Sequence, residues 1–137
     1  MKEMGGGFFK IRMLLIIVKN NIGMGYGFRN QYEVCLVLEK GKAEYNTNNF
    51  SNVVFMDNIT HNDKTHPHTK ALNILEKIIK HSSKEGDLVF DGFLGSGSTI
   101  EACIKTNRAY IGAELDKQWF GLIEERINKW KGQKTLF

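Results

Sequence analysis

The chain has 137 residues, 42% of them hydrophobic, and a formal net charge of +4; this is enough for one domain with one core, and the basic excess permits nucleic-acid contact without demonstrating it. Cys35 and Cys103 lie far apart in the sequence and fit no metal spacing, so a reduced, cytoplasmic protein is the simplest reading. The apolar run Met13–Val18 is far too short to span a bilayer and no secretory cleavage pattern follows it, which excludes a membrane partner.

In chain order, Met1–Lys10 carries Gly5-Gly6-Gly7 and reads as a flexible lead-in. Ile11–Val18 is apolar and β-branched, the pattern of a buried strand. The glycine-rich stretch Lys19–Gly27 would suit a ligand loop. Beyond it, however, Gln31–Glu39 alternates, with Tyr32, Val34, Leu36 and Leu38 on one face, and so predicts a second strand and a hairpin. Its tip is either a plain surface turn or a loop that meets DNA or substrate. The interval from Gly41 to Thr65 is polar and asparagine-rich, and only Val53–Met56 resembles a short strand. His61, Asp63, His66 and His68 fall in no standard zinc spacing, so no metal site is expected.

Thr69–Lys80 has Leu72, Leu75, Ile78 and Ile79 at helical spacing, with Thr69 as the N-cap. Ser82–Gly86 reads as a turn and Leu88–Phe90 as a buried strand. Then comes Asp91-Gly92-Phe93-Leu94-Gly95-Ser96-Gly97-Ser98-Thr99, opening into a helix from Ile100. Thr106–Arg108 reads as the helix exit and Ala109–Ala113 as a further strand, followed by Glu114. Asp116–Lys131 predicts a last helix that turns Trp119, Phe120, Ile123, Ile127 and Trp130 inward and stops near Gly132.

Strand, glycine turn and helix form a ligand-binding arrangement, because the turn exposes backbone N–H groups and the helix start adds positive dipole. Gly95 and Gly97 can take φ > 0 and let a ligand approach the backbone. No lysine follows the glycines, which argues against a phosphate-cradling nucleotide loop. Ile100 stands where the dinucleotide fingerprint wants its third glycine. Asp91 would repel a pyrophosphate and suits a cationic ligand. Glu114 lies near the ~20-residue offset at which an acid meets ribose hydroxyls. A nucleoside with a sulfonium centre, S-adenosylmethionine (AdoMet), fits both acids.

Asp91–Thr99 resembles the D-P-F-x-G-S-G-T-T motif of DNA amino-methyltransferases, which methylate the exocyclic amines of adenine or cytosine. His66-Pro67-His68-Thr69-Lys70-Ala71 is similar to the H-P-T-Q-K-P signature that precedes it. Ile111-Gly112-Ala113-Glu114-Leu115-Asp116 is similar to the I-G-x-E-x-D that follows. The order resembles the permuted branch, in which the AdoMet-binding half comes last. The resemblance covers His66 to about Ile127, and Ile11 to Lys42, where Phe28-Arg29-Asn30-Gln31-Tyr32-Glu33 is similar to F-R-N-x-x-E. Gly92, Ser98, His68 and Ala71 depart from the family pattern.

The resemblance implies an α/β, Rossmann-like AdoMet-dependent methyltransferase fold, incomplete at the N-terminus. It implies one partial domain: a sheet hairpin over 1–40, a short target-recognition segment over 41–65, the AdoMet-binding half over 66–131 and a flexible tail over 132–137. Asp91, Phe93, Gly95, Ser96 and Gly97 would line the methionine end of the cofactor, Glu114 the ribose, and Thr69 and Lys70 the carboxylate. Leu115 with Trp119 or Phe120 would floor the adenine. The family's [D/N/S]-P-P-[Y/F/W] motif, which holds the target amine, is missing, since Pro67 is the only proline. The expected activity therefore needs an upstream polypeptide that carries it, and the competing reading is a non-catalytic remnant or partner subunit that binds DNA or another chain. A last resemblance lies in Gln133-Lys134-Thr135-Leu136-Phe137, which is similar to the Q-x-[S/D/T]-L-F peptide that docks bacterial proteins on the replication sliding clamp.

Overall fold

The structure, a computed structural model, describes residues 9–56 and 72–134. The chain divides into two compact units, Met1–Asn58 and Ile59–Phe137.

The first unit is a three-stranded sheet of order β2-β1-β3, built from β1 (Lys10–Val18), β2 (Tyr32–Glu39) and β3 (Val53–Phe55). Apolar and β-branched residues predominate in all three strands, as the pleated surface favours. β1 and β2 pair antiparallel, as the hairpin reading requires, and β3 pairs parallel to β1. The ladder runs on past the strands through Lys19 N–H to Gln31 O (2.7 Å) and Gly23 N–H to Asn30 O (2.8 Å). Beyond it, Met24, Tyr26 and Phe28 stand fully exposed at the tip.

The register sorts side chains onto two faces. Ile17 and Leu15 share one face with Val54, and Leu15 and Val54 are buried there. Leu14, Ile16 and Val18 share the other with Leu36, Val34, Tyr32, Val53 and Phe55. The alternation expected for β2 is therefore correct. The expectation that Ile11–Val18 is buried is not: Met13 and Leu14 are exposed, as are all four apolar residues of the β2 face. Alternation fixes which side chains share a face, while burial depends on whether anything covers that face.

The second unit contains α1 (Leu72–Ser82), β4 (Leu88–Asp91), α2 (Ser98–Lys105), β5 (Ala109–Gly112) and α3 (Lys117–Lys134). β4 and β5 pair parallel, joined through α2 as a β-α-β unit. One sheet face is covered: Val89 and Tyr110 pack with Leu72 and Leu75 against Ile79 of α1 and Ala102 and Cys103 of α2. Ile74 of α1 is also buried, which the predicted helix face omitted. A second cluster joins Leu94, Ile100 and Ile123, with Ile104 and Ile127 against it, and so seats α3 on α2 and the glycine turn. The opposite face of β4 and β5 is bare, with Leu88, Phe90 and Ile111 exposed, so Leu88–Phe90 is not the buried strand its composition suggests. Phe120 is exposed rather than inward: it shares the face of Ile123 and Ile127 but sits in the first turn of α3, ahead of the packed cluster.

Helix ends are tied by side chains. Thr106 Oγ1 donates to Ala102 O at 2.7 Å at the close of α2. Buried Arg108 donates to Thr106 O, Ser83 O and Ser83 Oγ, linking the ends of α1 and α2. Glu101 of α2 pairs with Lys105 and with Arg126 of α3, while Lys105 also reaches Glu76 of α1 and lies over the Trp130 ring at 4.8 Å. The backbone of α3 continues through Gly132 to Lys134, two residues past the expected stop; an interior glycine costs only about 1 kcal/mol against alanine. Among the described residues no helix is long and apolar enough to cross a membrane.

Candidate functional site

The site is built where β4 and β5 end. Parallel pairing sets Asp91 opposite Gly112, so the two segments that leave the strands run side by side. Ala113 N–H donates to Asp91 O and Leu94 N–H to Ala113 O, both at 3.0 Å. These bonds bind the glycine turn to the β5 exit.

Asp91 is half-buried, and both of its carboxylate oxygens accept hydrogen bonds inside the turn. Oδ1 takes Phe93 N–H at 2.9 Å, an Asx turn, and Oδ2 takes Thr99 Oγ1–H at 2.6 Å. The carboxylate thereby braces the start of the turn against the first residues of α2. It keeps lone pairs for a further donor, since a carboxylate offers about four acceptor sites. Thr99 is a site residue that sequence reasoning left out, although it stands inside the quoted motif.

Gly95 and Gly97 adopt φ of 54° and 81°, the left-handed region expected of them. Gly97 caps α2, which starts at Ser98, two residues earlier than expected. A Cβ on Gly97 would sit 3.1 Å from Ile123 Cγ1, so its absence also lets α3 pack. Ser96 and Ser98 are buried with their hydroxyls 3.2 Å apart. Ser96 thus faces inward in this arrangement, and Phe93, 92% exposed, faces solvent.

Glu114 meets the turn directly. Its Oε2 accepts Gly95 N–H at 2.7 Å and its Oε1 accepts Asp116 N–H at 3.0 Å. Asp116 in turn caps α3 by accepting Gln118 N–H at 2.8 Å. The two acids picked out from sequence, Asp91 and Glu114, are therefore both brought to one glycine turn. Leu115, next to Glu114, is 98% exposed. Gly112 was missed: a Cβ there would lie 2.6 Å from Asp91 O and 2.7 Å from Leu94 Cδ2. The only signal was its place in Ile111–Asp116.

Cys103 lies in the core between α1, α2 and the sheet at 0% exposure, and burial pushes its thiol pKa up, with the nearby Arg108 charge opposing. Thr69, Lys70 and the four-residue set His61, Asp63, His66 and His68 lie outside the described residues, as does the tail from Thr135. Among the described residues no group of His, Cys, Asp and Glu could hold a metal ion.

A doubly bridged glycine turn at the carboxyl ends of parallel strands is the ligand crevice of open α/β folds. The solved structure of M1.HpyAVI in complex with SAM matches 86% of this chain and 62% of its own, with a TM-score of 0.72 and 28% identity. PvuII cytosine-N4-specific DNA methyltransferase matches in fold, with a TM-score of 0.71 over 91% of this chain at 15% identity. The architecture is thus part of a Rossmann-like methyltransferase fold.

Residues 1–125 match the family model described as DNA methylase, and the chain belongs to that N6/N4 methylase family. Type II methyltransferase M.HhaII of Haemophilus parahaemolyticus is 33% identical over 101 residues, 71% of this chain and 43% of that protein. M.HpaI of Haemophilus parainfluenzae is 35% identical over 89 residues, 65% of this chain and 27% of that protein. The chain therefore spans less than half the length of these curated relatives.

Proposed function

We propose that this chain is the AdoMet-binding portion of a bacterial DNA amino-methyltransferase of restriction-modification type, acting in the cytoplasm. The observation that carries this reading is the Glu114 carboxylate held at the glycine turn by Gly95 N–H.

The residues present fit AdoMet. The turn has no side chain at its two left-handed positions, Glu114 offers acceptor oxygens for ribose hydroxyls, and the Asp91 carboxylate favours a cationic centre nearby. Phe93 offers apolar surface for the methionine chain and Leu115 for the adenine. When bound, AdoMet supplies a methyl group activated by its sulfonium charge. This chain's own part is to hold and orient it: Thr99 and Phe93 N–H fix Asp91, while Gly95 and Asp116 N–H fix Glu114. Thr69 and Lys70 would meet the cofactor carboxylate. The acceptor is the exocyclic amine of adenine or cytosine in DNA.

The chain carries no P-P-Y/W motif, so nothing in it replaces the acceptor that orients the target amine. Catalysis accordingly requires a second polypeptide stretch. A radiolabelled methyl-transfer assay on mixed-sequence DNA tests this. No turnover is expected from the pure 137-residue chain, and turnover is expected once a segment with that motif is added. Turnover by the pure chain overturns the requirement. The Gln133–Phe137 peptide would dock on the sliding clamp; a clamp pull-down that loses this chain on Leu136→Ala/Phe137→Ala supports that role, and equal capture removes it.

A further inference from the structure

We infer that the tip of the β1–β2 hairpin is a DNA wedge, which enters an opened base step with Met24 and Tyr26 while Arg29 holds a flanking phosphate. The tip projects past Val18 and Tyr32, the last paired residues of the ladder. Three hydrogen bonds stiffen its base: Lys19 N–H to Gln31 O, Gln31 Nε2 to Lys19 O, and Gly23 N–H to Asn30 O. From there glycine alternates with a large apolar residue, in Gly23-Met24-Gly25-Tyr26-Gly27-Phe28. Met24, Tyr26 and Phe28 are exposed at 101%, 103% and 108%, as open as side chains of an extended chain. The glycines keep them so. A Cβ on Gly27 would meet nothing within 4 Å, and one on Gly25 would meet only Arg29 Cγ at 3.9 Å.

The charge around the tip selects its partner. From Lys19 to Gln31 there are two basic side chains and no acid. Lys19 lies 3.7 Å from Glu33 at the base of the hairpin, whereas Arg29 is exposed and has no acidic partner among the described residues. Three apolar side chains are far too few for a stable protein interface, which takes about 20 residues a side. A phosphate backbone supplies a partner for Arg29 but offers nothing to Met24 and Tyr26. The apolar surface of a duplex lies on the faces of its bases, which are reachable only where neighbouring pairs unstack. Aromatic side chains stack on those faces whatever the base, and apolar wedges hold such steps open. Exposure and charge thus converge on one ligand, an opened base step with the phosphate beside it. The wedge depends on the proposed function only for DNA as the partner, and a titration of AdoMet reads the glycine turn separately.

The test uses the full 137-residue chain and two labelled duplexes of one sequence, one intact and one carrying an abasic site, where the step is already open. The wild type should bind the abasic duplex at least ~10-fold more tightly, because stacking is gained without the cost of unstacking. Met24→Ser/Tyr26→Ser should abolish that preference and leave the circular dichroism unchanged, since both side chains already face solvent. If the pair alters the circular dichroism, Tyr26→Ala replaces it and should lower the preference in the same direction. Arg29→Ala should keep the preference and make the salt dependence of binding shallower by about one in slope. Absence of DNA binding, equal affinity of the wild type for the two duplexes, or a preference that survives the loss of Met24 and Tyr26 overturns the inference. So does capture of the wild type by anionic phospholipid vesicles that Met24→Ser/Tyr26→Ser abolishes while its DNA binding is unchanged, since a membrane surface would then be the partner.

Discussion

The glycine turn of the second unit and the sheet of the first are opposite kinds of structure. Around the turn, almost every group is committed to another part of the turn: Asp91 to Phe93 and Thr99, Glu114 to Gly95 and Asp116, and Gly97 to the space left beside Ile123. The first unit forms a hydrogen-bonded ladder yet leaves most apolar side chains of one face exposed, with Ile16 and Val18 half-buried among them. The turn is therefore satisfied within one β-α-β unit, from Asp91 to Asp116, whereas the sheet leaves apolar side chains exposed. Turn chemistry is set within one β-α-β unit, while burial is a property of the whole fold.

The two cysteines give the widest expected contrast. Cys35 is exposed on β2, and Cys103 is buried with its thiol pKa raised by desolvation. Alkylation of the native chain should modify Cys35 at least ~100-fold faster, since the thiolate is the reactive form and must be reached by solvent. Comparable rates, read by mass spectrometry, would show the second unit to be open.

Gly112→Ala should come next in size. The added methyl meets backbone oxygen at Asp91 and the Leu94 side chain, so the turn has to shift. A loss on the order of 3 kcal/mol is expected from such overpacking, read by urea unfolding. Thr99→Val removes the short hydrogen bond to Asp91 at a half-buried position. It should cost about 1–2 kcal/mol, with Thr99→Ser retaining most of it. Val34→Lys on the bare face should change the isolated chain by no more than about 0.5 kcal/mol. A larger loss would mean that this face is already packed, and would erase the contrast between the units.

Much of the site was legible in the sequence because its chemistry is local. Two glycines between a strand and a helix announce left-handed backbone, and an acid at each strand end needs only the parallel pairing to meet the turn. Gly112 was illegible because its reason lies across the sheet, in the oxygen of Asp91. The engagement of Asp91 by Thr99 needed coordinates, since a motif does not state which of its members touch. Strands were read correctly from β1 to β5, yet the burial expected of β1 and β4 was not. Leu88 and Phe90 have the composition of core residues, and composition does not say whether a covering layer is in the same chain. Phe120 was placed inward by a periodicity that Trp119 and Ile123 satisfy without it.

The central claim is that the turn between β4 and α2, completed by Glu114, binds AdoMet. Calorimetric titration of AdoMet into the wild type and into Glu114→Ala, both shown to be folded by circular dichroism, tests it most directly. Loss of the ribose acceptor should cost on the order of 1–3 kcal/mol, a weakening of roughly 5- to 150-fold. Measurable binding by the wild type with that loss in the variant is the predicted result; equal affinities, or no heat of binding from the folded wild type, would contradict the account.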